Sequence, residues 1–221
     1  MSETTGNPGE EPAGGKHLIY IADPMCSWCY AFSPVIDDIR RAFGRHLPIQ
    51  LVMGGLRPGT DTQMATKAKS DLVGHWHHIT EATGLPFDGA VLDDPEFRYD
   101  TDPAARAVVW VRRHDPDRAL TFLAELQSGF YAQVRDITRL MTLADMVAQA
   151  GFNRDAFLAD FETDDLKNET WSDYATSQRA GVTGFPTLVA GPRENGTYGV
   201  VTRGYQNGDV VLPLLHNWVG S

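Results

Sequence analysis

The chain has 221 residues, 42% of them hydrophobic, with five Trp and ten Phe, so it can bury a sizeable core. Its length exceeds one compact domain and falls short of two full ones, which points to a single fold carrying an insertion. A formal net charge of −10 repels phosphate backbones and anionic lipid, so neither nucleic acid nor a membrane surface is an expected partner.

Residues 1–16 are rich in Gly, Pro and Glu and lack a basic head followed by an apolar stretch. They read as a disordered tail and not as a signal peptide. No apolar run approaches the roughly 18 residues of a membrane span, and the protein is expected to be cytoplasmic. His17 to Ala22 (HLIYIA) reads as a buried strand that Asp23-Pro24 ends. A helix is expected from about Ser27 to Phe43, with Phe32, Val35, Ile36, Ile39 and Phe43 on one face. Pro34 should kink it, because proline lacks the N–H that bonds one turn back. Leu47 to Met53 is a second strand, completing a βαβ unit.

From about Thr60 to Ala180 the signals are helical. Thr60 or Asp61 is expected to start a helix through Leu72, Trp76 and Ile79 that ends near Gly84. Asp102-Pro103 and Asp115-Pro116 each place a capping side chain before a proline at the first helical position. Thr142 with Asp145 resembles a capping box closed by Gly151, and Thr163 is placed to cap a helix that reaches Ala180. Strand character returns at Phe185 to Ala190 and at Tyr198 to Arg203, around a turn-rich segment that suggests a hairpin. Asn207 can cap a final amphipathic helix through Val211, Leu215 and Trp218. The expected architecture is α/β. Residues 17–58 and 181–221 form βαβ and ββα halves in the order of a thioredoxin core, and residues 59–180 form a helical insertion.

The chain has two cysteines, Cys26 and Cys29. At i and i+3 near a helix start they share one face and can switch between dithiol and disulfide with little backbone movement. A disulfide across two residues closes almost no loop, so a structural role gains little. Cys26 lies near the unsatisfied N–H groups and positive end of the helix, which favour a thiolate there. Cys29, one turn deeper, is expected to be more buried. This spacing leads to an exchange cycle in which Cys26 attacks and Cys29 resolves the mixed disulfide. A Cys-x-x-Cys pair is also half of a zinc site, but the remaining ligands would have to come from histidines such as His75, His77 and His78, or from carboxylates. Two buried, unreactive thiols are the plainer alternative.

Far along the chain, Thr183-Gly184-Phe185-Pro186-Thr187 opens a strand, where proline is tolerated. In a thioredoxin order of elements this loop faces the cysteine pair, which makes Phe185 and Pro186 candidates to pair with a substrate strand; an ordinary strand-initiating proline is the plainer alternative. Trp28, between the thiols, either flanks a substrate groove or shields Cys29. Arg57 and Arg106 either hold an anionic group or pair with neighbouring acids.

With these motifs in view, the sequence resembles the DsbA-like branch of the thioredoxin superfamily, and within it the FrnE-type proteins, over nearly all of residues 17–219. The resemblance rests on Asp23-Pro24-Met25-Cys26-Ser27-Trp28-Cys29-Tyr30, Gly54-Gly55-Leu56-Arg57-Pro58-Gly59, Asp102-Pro103-Ala104-Ala105-Arg106 and Gly181-Val182-Thr183-Gly184-Phe185-Pro186-Thr187. It implies a nucleophilic Cys26, a resolving Cys29 and a cis Pro186, acting on disulfide- or thiol-containing substrates with an unidentified redox partner. No cofactor or metal is implied. Two positions depart from the pattern. Ser27-Trp28 replaces the Pro-His of periplasmic oxidants, which implies a less oxidising couple. Tyr20 stands where many relatives carry a buried acid, while Asp23 lies nearer the motif in a turn or capping position. The alternative class is a glutathione-dependent isomerase or transferase, related to the kappa-class transferases and the 2-hydroxychromene-2-carboxylate isomerases, which usually lack the second cysteine.

Overall fold

A computed structural model describes residues 15–220. The tail expected over residues 1–16 therefore falls almost wholly outside the described residues. Among the described residues four strands form one sheet: β1 (His17–Ala22), β2 (Ile49–Met53), β3 (Thr187–Gly191) and β4 (Gly199–Arg203), in the order β2-β1-β3-β4. β1 pairs parallel with β2 and antiparallel with β3, and β3 pairs antiparallel with β4. Parallel β1 and β2 need a crossover, which α1 (Ser27–Phe43) supplies. Its buried face holds Phe32, Val35, Ile36, Ile39 and Phe43, the face that 3.6-residue periodicity assigns to the core. Pro34 lies inside α1, and the helix continues through it. The Tyr30 carbonyl that Pro34 cannot serve accepts instead from the Ser33 hydroxyl at 2.8 Å.

Between β2 and β3 run α2 (Thr66–Thr83), α3 (Asp102–His114), α4 (Ala119–Gln133), α5 (Leu140–Gln149), α6 (Arg154–Asp160) and α7 (Asp164–Arg179). The chain then closes on α8 (Gly208–Val219). Trp76, Phe130 and Tyr131 pack edge to face beside α1, with Phe97 stacked on Phe130 and Tyr30 stacked on Tyr131. A single apolar core joins the sheet, α1 and these helices. Among the described residues no helix is long and apolar enough to cross a membrane.

Several boundaries differ from the sequence reading. α2 starts at Thr66 rather than at Thr60 or Asp61, because residues 59–63 bond sideways to a distant loop. The Gly59 N–H donates to Asp100 Oδ1, Gln63 Nε2 to the Pro95 carbonyl and Arg98 Nε to the Asp61 carbonyl. Asp102 is the first residue of α3 and not its cap. Its N–H donates to Asp100 Oδ1, while its own carboxylate takes Arg106 and the Tyr174 hydroxyl. Thr142 lies inside α5, and its expected partner Asp145 pairs with Arg154, so there is no capping box. β2 starts two residues later than expected and β3 starts after Pro186. The caps at Asp115 and Asn207 do form, each accepting a backbone N–H. Short α6 was not anticipated, and Asn153 caps it.

The outer edge of β2 is not bare. The Met53 N–H donates to Asp173 Oδ2 at 2.8 Å, and Arg112 Nη1 donates to the Leu51 carbonyl at 2.7 Å. Arg112 and Asp173 also pair with each other at 2.7 Å.

Candidate active site

Cys26 is the N-cap of α1, with extended backbone (φ −89°, ψ 114°) and its carbonyl accepting the Cys29 and Tyr30 N–H groups. Cys29 lies one turn in. Both are free thiols; Cys26 keeps 8% of its surface exposed and Cys29 none. Burial pushes the Cys29 thiol well above its ordinary range, and the hydrogen bond and charge of Cys26 push the same way. The Asp23 backbone N–H opposes them. The inequality expected of the two sulfurs is therefore present as a difference in burial.

Asp23 fixes the turn that precedes the motif. Its carboxylate accepts the Met25 N–H at 2.9 Å and the Leu56 N–H at 2.8 Å, and its carbonyl accepts the Cys26 N–H. Burial raises the carboxyl to about 6 against the opposing pull of the Leu56 and Met25 N–H groups and the Thr101 hydroxyl. Tyr20 is buried, and its pKa is raised by burial first and then by the nearby Cys29 and Cys26.

The loop after β2 forms a second wall. Besides the Leu56 contact with Asp23, Arg57 exchanges hydrogen bonds with Thr101: its N–H donates to the Thr101 hydroxyl and its carbonyl accepts the Thr101 N–H. Gly54 and Gly55 are required here. A Cβ at Gly54 would overlap the Phe185 ring, and Gly55 has φ +73° with Tyr174 directly against it. The Arg57 guanidinium lies over the Tyr99 ring, 5.3 Å from its centroid. The Tyr99 hydroxyl donates to the Met25 carbonyl at 2.6 Å.

The third wall is the loop before β3. The Phe185–Pro186 peptide is cis, as the resemblance implies, and Gly191–Pro192 is a second cis bond that sequence reading did not anticipate. The Cys26 thiol donates to the Phe185 carbonyl at 3.7 Å. Pro186 is buried, and its carbonyl accepts the Gly204 N–H at 2.7 Å. This loop thus meets the dithiol across 159 residues of sequence.

Together the walls enclose a cavity of about 550 Å³ lined by Cys26, Trp28, Arg57, His75 and Phe185, among others. Trp28 is half-buried between His75 and Tyr205, with ring centroids at 5.8 and 5.3 Å. His75 therefore belongs to this cavity; burial, and then neighbouring His78, lower its pKa. His77 faces Glu81 instead. Among the described residues no group of three or more His, Cys, Asp or Glu side chains is arranged to hold a metal ion. Arg106, the other candidate for holding an anion, is committed to Asp102, Glu162 and the Phe161 ring. Sequence reading did not single out Tyr99 or Tyr205. Each comes from a segment with no motif of its own.

The family described as Thioredoxin matches residues 19–212, and the chain belongs to it. The DsbA-like branch of disulfide oxidoreductases is where its structural neighbours place it. A candidate protein disulfide isomerase of Nitrosomonas europaea is 31% identical, superposes with a TM-score of 0.81, and is matched over 93% of this chain and 98% of its own. DsbM of Pseudomonas aeruginosa, a cytosolic disulfide reductase solved with GSH, is 25% identical with a TM-score of 0.69, over 92% and 96% of the two chains. The ClpXP adapter protein SpxH of Halalkalibacterium halodurans is 23% identical over 90% of this chain, and the match spans 66% of that protein's length.

Proposed function

We propose that the protein is a dithiol–disulfide exchange enzyme in which Cys26 attacks, Cys29 resolves, and Trp28, Phe185 and Pro186 hold the substrate. The observation that carries this reading is the placement of the sulfurs: Cys26 opens into the cavity against the Phe185 carbonyl, while Cys29 is sealed behind it. In the reducing direction the Cys26 thiolate attacks one sulfur of a substrate disulfide, and the S–S electron pair leaves with the other sulfur, which takes up a proton. Cys29 then loses its proton and attacks Cys26, releasing the second substrate thiol. The two electrons delivered to the substrate leave the enzyme as a Cys26–Cys29 disulfide. Run backwards, the same steps oxidise a dithiol.

The raised pKa of Cys29 suits this order, because a sulfur that stays protonated waits until the mixed disulfide forms beside it. We place the activity in the cytoplasm, with protein or small-molecule disulfides as substrates; the likeness to DsbM, a cytosolic reductase, supports both points. A glutathione-dependent isomerase or transferase needs only one reactive sulfur, and the second cysteine directly behind the first favours the dithiol reading. An insulin-reduction assay tests it: Cys26→Ser and Cys29→Ser should each stop turnover, and undiminished rates in both variants end the proposal. Tight glutathione binding with no disulfide exchange would favour the transferase class instead.

A further inference from the structure

The chain carries 29 Asp and Glu against 19 Lys and Arg, yet no carboxylate side chain lines the cavity at Cys26. One full positive charge does line it. Arg57 is exposed and rests on the Tyr99 ring, and no acid among the described residues pairs with its guanidinium. Its backbone is fixed on both sides by Thr101 and through Leu56 by Asp23, so the charge is presented from a held loop. His75, across the cavity, is kept toward its neutral form and adds little charge near pH 7.

An arginine stacked on an aromatic ring with its N–H fork free is preorganised for a carboxylate. With no carboxylate in the cavity lining to compete for it, the guanidinium stays open to a carboxylate of the substrate.

We infer that Arg57 is a specificity residue: it binds a carboxylate of the disulfide substrate and makes the site prefer anionic over neutral or cationic disulfides. This rests on the dithiol reading above. The effect assigned to Arg57 is on which disulfide is held at Cys26, beside which it lines the cavity.

The test uses the full-length reduced protein and three small disulfides: 5,5′-dithiobis(2-nitrobenzoate), which carries two carboxylates, neutral 4,4′-dithiodipyridine, and dicationic cystamine. Each reaction consumes one disulfide, releases two thiols and leaves the Cys26–Cys29 disulfide, so second-order rate constants are directly comparable. Arg57→Gln should lower the ratio of the anionic to the neutral rate constant about tenfold, the size of one partly exposed charge-assisted hydrogen bond. The ratio of anionic to cationic should fall further. Arg57→Lys should restore part of the preference, and added salt should depress the anionic rate in the parent protein but much less in Arg57→Gln. A general change in thiol reactivity or folding would move all three rates together and leave the ratios fixed; fixed ratios overturn the inference. If they stay fixed while Cys26→Ser is inert, only the role of Arg57 fails. If Cys26→Ser reacts like the parent, the dithiol reading fails and takes this inference with it.

Discussion

Two clefts among the described residues differ in how their charges are met. The larger, about 920 Å³, lies between the C-terminal end of α1 and residues 116–120, and three arginines line it. The smaller, about 550 Å³, holds Cys26 and one arginine. By size and cationic count the larger cleft is the better anion site. Its charges, however, are mostly answered: Arg40 lies 3.6 Å from Asp37 and donates to Thr121, and Arg41 pairs with Asp38. In the smaller cleft Arg57 faces no acid, a thiol opens inward and loops from three parts of the chain converge. Chemistry follows the groups left unsatisfied, and cleft volume alone is a poor guide.

Four outcomes would break or sharpen that contrast. The largest is at sulfur. Cys26→Ser should slow disulfide reduction by more than about a hundredfold, since a hydroxyl does not perform the exchange. Cys29→Ser should instead accumulate a substrate mixed disulfide on Cys26, visible by intact mass spectrometry; trapping at position 29 in the parent protein would reverse the assignment. The second concerns a glycine in each cleft. Gly54→Ala forces the Phe185 ring aside, which should cost about 1–3 kcal/mol of stability and lower the exchange rate. Gly44, at φ +55° with open space around it, should lose about 1–2 kcal/mol as Ala with no change in exchange rate. Equal rate losses in the two variants would erase the distinction between the clefts.

The third outcome is a titration. Asp23 has its folded-state pKa raised from 3.8 to about 6, so the folded protein favours the protonated form. That contribution is fully present below the unfolded value and is lost as pH rises through about 6. Carbon-detected NMR should show a carboxyl midpoint near 6, and Asp23→Asn should remove that component from stability measured at pH 5 and pH 8. A midpoint below 4 would mean that its hydrogen bonds outweigh burial. The smallest effect belongs to the larger cleft: Arg41→Ala should change stability by less than about 0.5 kcal/mol and leave the exchange rate within about twofold of the parent.

Much of the frame was legible because its signals are local. β1 is a run of apolar residues, α1 carries five core residues at helical spacing, and Asn207 caps its helix through an adjacent N–H. The cysteine pair and the Phe185-Pro186 segment were legible as motifs. The errors arose where distant segments compete with local preference. Thr60 looks like a helix start until Asp100 and the Pro95 carbonyl draw residues 59–63 away. Asp102 looks like a cap until Asp100 takes that task and Arg106 takes the Asp102 carboxylate. Gly54 and Gly55 were read as part of a motif, but their purpose appears only when Phe185 and Tyr174 arrive from beyond residue 170. Tyr99 and Tyr205 had no signal at all, since an isolated tyrosine carries no information about what it will face.

The ion pair along β2 has a bearing on self-association. An edge strand with bare amides and carbonyls is a template for another strand. At β2 the Met53 amide and the Leu51 carbonyl are already occupied by Asp173 and Arg112. Intermolecular strand addition, and any aggregation that begins that way, is thereby channelled to the opposite margin at β4, where Val200 stands 49% exposed.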